Sequence, residues 1–123
     1  MDELTTLVGK SFDETQAYLI GRVSEAGERF GIFTGISHFE HVANNISNIV
    51  QTMLFRKRVE ELSDDDRAIA ERELRAFNLY LRMVEQNPVF RKQEARSAYE
   101  YNPATPNGVT GYVFEQAKRF GME

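Results

Sequence analysis

Ser63-Asp64-Asp65-Asp66-Arg67-Ala68-Ile69-Ala70-Glu71-Arg72-Glu73-Leu74-Arg75-Ala76-Phe77-Asn78-Leu79-Tyr80-Leu81-Arg82-Met83-Val84-Glu85-Gln86-Asn87-Pro88 is the stretch that decides the fold. Its apolar residues Ala70, Leu74, Phe77, Leu81 and Val84 recur at alternating intervals of four and three, the period of one buried helix face. Ile69, Ala76, Tyr80 and Met83 widen that face. Ser63 followed three residues later by Asp66 is a helix-start pattern. The hydroxyl accepts from an early backbone N–H while the acid reaches back toward the cap. Asp64, Asp65 and Asp66 place negative charge at the positive end of the helix dipole. Asn87 closes the helix, because a residue before proline avoids the helical region.

Working outward, the same start pattern occurs at Ser11 with Glu14 and at Ser37 with Glu40, and one interval separates Ser11, Ser37 and Ser63. Little else is shared between the three blocks, so equal helix length explains the spacing and duplication does not. The first block predicts a helix from Ser11 to about Phe30, with Leu19, Val23, Ala26 and Phe30 on its apolar stripe and Gly31 as its stop. The second predicts a helix from about His38 to Glu61, burying Phe39, Val42, Ala43, Ile46, Ile49, Val50, Met53 and Leu54. The short apolar link 31–36 is expected to tuck onto the core.

Downstream, Asn87 as N-cap and Pro88 at the first helical position start a further helix to about Tyr99, carrying Phe90, Ala95 and Ala98. The turn-rich segment 102–108 reads as an internal loop. A last helix from about Thr110 to Phe120 offers Val113, Phe114, Ala117 and Phe120 for burial. No segment shows sustained strand alternation. The expected fold is all-α: an antiparallel helical bundle of three long helices plus two shorter C-terminal helices, one domain over residues 1–123.

Composition narrows the function. A chain of 123 residues with 41% hydrophobic and 28% charged residues is ordinary for one globular domain, so nothing points to disorder. No run approaches the ~18 apolar residues of a membrane span, and Met1-Asp2-Glu3-Leu4 lacks the start of a signal peptide. The cytoplasm is the expected compartment, with no membrane partner. The absence of cysteine removes disulfides, thiolate metal sites and thiol nucleophiles. A net charge of −4 argues against a dedicated nucleic-acid binder, which needs phosphate neutralisation. Arg56-Lys57-Arg58 and Arg91-Lys92 are the dense basic runs, and the first fits the preference for cations at a helix C-terminus better than a phosphate-binding role.

One feature departs from a plain bundle. From Val42 to Phe55 no residue carries a charge. Opposite the apolar stripe stand His41, Asn44, Asn45, Asn48, Gln51 and Thr52, with Ser47 beside them. Asn and Thr are poor helix formers, so their accumulation in mid-helix needs another reason. Uncharged amides suit a half-buried surface, where desolvating a carboxylate or ammonium costs far more. Three readings follow: an interface with a second copy or another protein, a polar side covered by the C-terminal helices, or the wall of a ligand pocket.

His38 and His41 lie three apart and can share a metal if a carboxylate such as Glu40 completes the set. Histidines near a helix start are more often surface or hydrogen-bonded residues, and no metal or cofactor is called for. Nucleophile-elbow, phosphate-loop and dinucleotide fingerprints are absent. Glu25, Glu28, Glu71 and Glu73 read as surface carboxylates of amphipathic helices. Tyr99, Tyr101 and Tyr112 can anchor a partner or pack the C-terminal segment.

Arg75 to Arg91, with Asn87-Pro88 between a helix and an aromatic-bearing successor, resembles the start of the helical ligand-binding core of TetR-type regulators. The similarity spans roughly Ala70 to Phe120. Those regulators also carry an N-terminal helix-turn-helix. Asn45-Ile46-Ser47 is similar to its turn, but the preceding helix departs from that register. The resemblance implies a small ligand-binding sensor without a DNA-binding domain. The residues themselves favour a non-catalytic interaction or regulatory module that self-associates, as a homodimer or larger species, or binds another protein through the uncharged face of the second helix.

Overall fold

The computed structural model describes residues 6–7, 10–32, 35–54, 63–98 and 108–122. Among these residues the protein is all-α, with five helices: α1 (Phe12–Arg29), α2 (His38–Leu54), α3 (Asp64–Gln86), α4 (Pro88–Glu94) and α5 (Gly108–Arg119). The expected continuation of α2 to Glu61, the run Arg56-Lys57-Arg58, and residues 99–107 of the loop region lie outside the described residues.

The starts are where the serine pattern puts them. The Ser11 hydroxyl accepts from the Glu14 N–H, and the Glu14 carboxylate accepts from the Ser11 N–H, a complete capping box. Ser63 caps α3 by accepting from the Asp66 N–H at 3.1 Å. Asn87 ends α3 and, with its side chain accepting from the Val89 and Phe90 N–H groups, begins α4. One residue thus serves both helices at the corner.

Two helices end alike. After α1, Gly31 turns left-handed at φ 69°; its N–H donates to Glu28 O and that of Ile32 donates to Gly27 O. After α5, Gly121 has the same φ, with Gly121 and Met122 donating to Lys118 O and Ala117 O. Both are left-handed caps that satisfy the last carbonyls. Arg-Phe-Gly followed by an apolar residue is their common sequence, at Arg29-Phe30-Gly31-Ile32 and Arg119-Phe120-Gly121-Met122.

α2 packs between α1 and α3, α1 also touches α3, and the two short helices pack on α3, with α5 reaching α2 as well. Phe39, at the start of α2, stacks on Tyr80, in the last third of α3, with ring centroids 5.8 Å apart, so these two helices run antiparallel. The core joins Leu19 and Val23 of α1, Phe39, Val42, Ile46 and Val50 of α2, Leu74, Phe77, Tyr80, Leu81 and Val84 of α3, Phe90 of α4, and Val113 and Ala117 of α5. Full burial of a side chain such as Leu19 or Phe77 contributes about 1.5–3 kcal/mol.

Several expected core positions fall outside it. Ile49 and Ile69 are exposed, at the edges of their stripes. The link after α1 is divided: Ile32 is buried, but Ile36 stands 57% exposed. Glu73 is no surface carboxylate. It is buried, accepts from the Thr110 hydroxyl of α5, and lies 3.7 Å from Arg72. The fourth helix stops at Glu94, short of Tyr99. Beyond it the backbone pairs with the segment before α2: Ser37 and Ser97 form an antiparallel bridge, His38 N donates to Arg96 O, and Ala98 N donates to Ile36 O.

Candidate functional site

That bridge builds one rim of a cleft along the start of α2. The Ser37 hydroxyl accepts from the Glu40 N–H and donates to Glu40 Oε1 at 3.0 Å. The same carboxylate oxygen accepts from the Gly35 N–H at 2.7 Å. Glu40 therefore ties the 35–37 turn to the first turn of α2, and Gly35, at φ 91°, takes a left-handed conformation that side chains disfavour. The result is a cleft of about 480 Å³ lined by the 35–37 turn, Ala98, Glu40, and a wall of His41, Asn44, Asn45 and Asn48. Among the described residues Glu40 is its single acid, and no Lys or Arg lines it.

A second concavity of about 300 Å³ follows on the same helix, lined by Asn45, Asn48, Ile49, Thr52 and Met53. Asn45 and Asn48 form the ridge shared by the two. Five of the six residues picked out from sequence, His41, Asn44, Asn45, Asn48 and Thr52, thus fall on one continuous, uncharged, concave strip. Gln51 does not join them. It is buried at 3% exposure, and its Nε2 has no hydrogen-bond partner. Ser47 is also buried and donates to Asn44 O, its own helix. The polar side of α2 is therefore split, with two residues turned inward and the rest facing the cleft.

Beneath the cleft lies a polar cluster that the sequence did not disclose. Glu94, fully buried at the end of α4, receives hydrogen bonds from three other helices. Its Oε1 accepts from His38 Nδ1 of α2 at 3.0 Å and from the Tyr80 hydroxyl of α3 at 2.6 Å. Its Oε2 accepts from the Tyr112 hydroxyl of α5 at 2.7 Å and from Gln93 Nε2 at 3.3 Å. Gln93 in turn donates to Gln116 Oε1 at 2.9 Å. The His38 ring meets Tyr112 edge-on, with centroids 5.2 Å apart. A buried carboxylate is tolerated only when its oxygens are satisfied, and here both are. The cluster fixes the start of α2, and with it the cleft wall, to α3, α4 and α5.

The two histidines consequently have different surroundings. His38 is fully buried on Glu94, whereas His41 is exposed beside Asn45, 6.2 Å from the His38 ring. The Oε1 of Glu40 is engaged by Gly35 and Ser37. Among the described residues no three His, Cys, Asp or Glu side chains are grouped so as to hold a metal. Of the tyrosine group, Tyr112 belongs to the buried cluster; Tyr99 and Tyr101 lie outside the described residues. No described helix is long and apolar enough to cross a membrane.

No family model, curated relative or solved structure matches this chain.

Proposed function

We propose that this chain is a non-catalytic, all-α interaction or regulatory module that self-associates through the uncharged polar face of α2. The observation that carries the reading is the convergence of His41, Asn44, Asn45, Asn48 and Thr52 on one concave strip that, among the described residues, has no lysine or arginine. Two copies of a chain with net charge −4 carry a net mutual repulsion. The strip, with Glu40 the one acid among the described residues of its cleft, adds little to that repulsion. Amide side chains both donate and accept, so the same asparagine on two copies can pair across a two-fold axis, as carboxylates or ammoniums cannot. Ile36 and Ile49, 57% and 38% exposed at the strip, supply apolar surface to bury.

A second reading, a small helical sensor with a ligand in this cleft, is favoured by its volume. About 480 Å³ lies within the ~300–1,000 Å³ of small-molecule sites. Light scattering separates the two. Self-association gives the wild-type protein a mass above the 14.2 kDa of one chain, and Asn48→Arg returns it to a monomer by facing two guanidiniums across the contact. A wild-type mass of 14.2 kDa at every concentration overturns self-association and leaves the cleft to a ligand.

A further inference from the structure

A third concavity shares no residue with the α2 strip and has a positive lining. It holds about 330 Å³ between Arg75, Asn78, Leu79 and Arg82 of α3 and Phe114 of α5. Arg75 and Arg82 stand two helical turns apart on one face, with Asn78 between them. Both are exposed. Among the described residues, neither has a carboxylate within the 4.0 Å of an ion pair. The neighbouring acid Glu71 is engaged by Arg67 at 3.1 Å, and Glu73 by Thr110.

Two further guanidiniums border the same place. Arg72 and Arg75 both lie over the Phe114 ring, 5.1 Å and 4.9 Å from its centroid. Arg22 of α1 donates to Asn78 Oδ1 and lies 5.4 Å from the Phe77 ring centroid. Two arginines thus line the opening with the apolar Leu79 and Phe114, while Arg72, paired with Glu73 at 3.7 Å, and Arg22 stand behind Phe114 and Asn78. On a chain of net charge −4, this concentration of positive charge is not a property of the surface at large.

We propose that this cleft binds a small organic anion: a carboxylate or phosphate headgroup attached to a flat apolar body. The planar guanidinium fork of Arg75 or Arg82 matches two oxygens of such a headgroup, and the apolar body packs on Leu79 and Phe114.

The test is a heteronuclear NMR titration with phenyl phosphate, benzoate and inorganic phosphate as probes, on wild type, R75Q/R82Q and the control R67Q. Both cleft arginines are exposed, and circular dichroism checks that the double variant keeps its helix content. The expected result is that phenyl phosphate and benzoate shift the amide signals of Arg75, Asn78, Arg82 and Phe114. Phenyl phosphate binds more tightly than inorganic phosphate, and R75Q/R82Q weakens it at least about tenfold while R67Q does not. Shifts absent from these residues, affinity unchanged in R75Q/R82Q, or equal binding of phenyl phosphate and inorganic phosphate would each overturn the proposal.

Discussion

Glu94 shows how much a single buried side chain can organise. Its two oxygens take hydrogen bonds from His38, Tyr80, Tyr112 and Gln93, so one carboxylate links α2, α3, α4 and α5. Taking the acceptor away from buried donors costs about 1–3 kcal/mol for each group left without it. Against a total stability of about 5–15 kcal/mol, that is a large part. Glu94→Leu is expected to lower stability by that amount, read as a shift of the urea unfolding midpoint by circular dichroism. None of this was legible in sequence. Glu94 sat among charged neighbours on a short helix, His38 was read with His41, and Tyr112 with Tyr99 and Tyr101. The signal that identifies the cluster is spatial: four residues far apart in the chain meet at one point. What sequence did carry at this scale was the amide and threonine strip of α2, because its oddity is local. Gln51 was misplaced on that strip, because helical periodicity alone does not say how far a neighbouring helix covers the edge of a polar face.

At the scale of elements, local signals set the starts and non-local contacts set one end. Ser11, Ser63 and Asn87 act through bonds within three residues of themselves, so their caps were readable. The end of α4 was not, because it is fixed by pairing of Ser97 with Ser37, which no helical pattern encodes. The cap of α1 gives a pH prediction. The Ser11 backbone N–H, and then its hydroxyl, hold the Glu14 carboxyl below the ordinary carboxylate range. A carboxyl whose pKa is lowered by folding contributes stability above its unfolded pKa and loses it as pH falls through the folded value. Glu14→Gln should therefore lower the thermal midpoint at neutral pH, and the gap to wild type should close on acidification. Thermal melts of both proteins across that range check it.

The whole molecule divides its surface by charge. The first turn of α3 is acidic, the cleft between α3 and α5 is lined by Arg75 and Arg82, and the exposed side of α2 is neutral. Under the proposed function, the neutral strip is the surface that meets another copy of the same chain. The packed core and the Glu94 cluster hold that strip in one shape, so association requires little reordering. The chain has no cysteine, which permits a direct test of the proposed self-association. Single cysteines placed at Asn45, Asn48 and Thr52, with Asp65→Cys as control, are oxidised and run on a non-reducing gel. A two-fold contact through α2 brings the same position of two copies together, so at least one of the three strip positions should form a disulfide dimer quickly while Asp65→Cys stays monomeric. No cross-link at any strip position, or equally fast cross-linking at Asp65, would contradict self-association through this face.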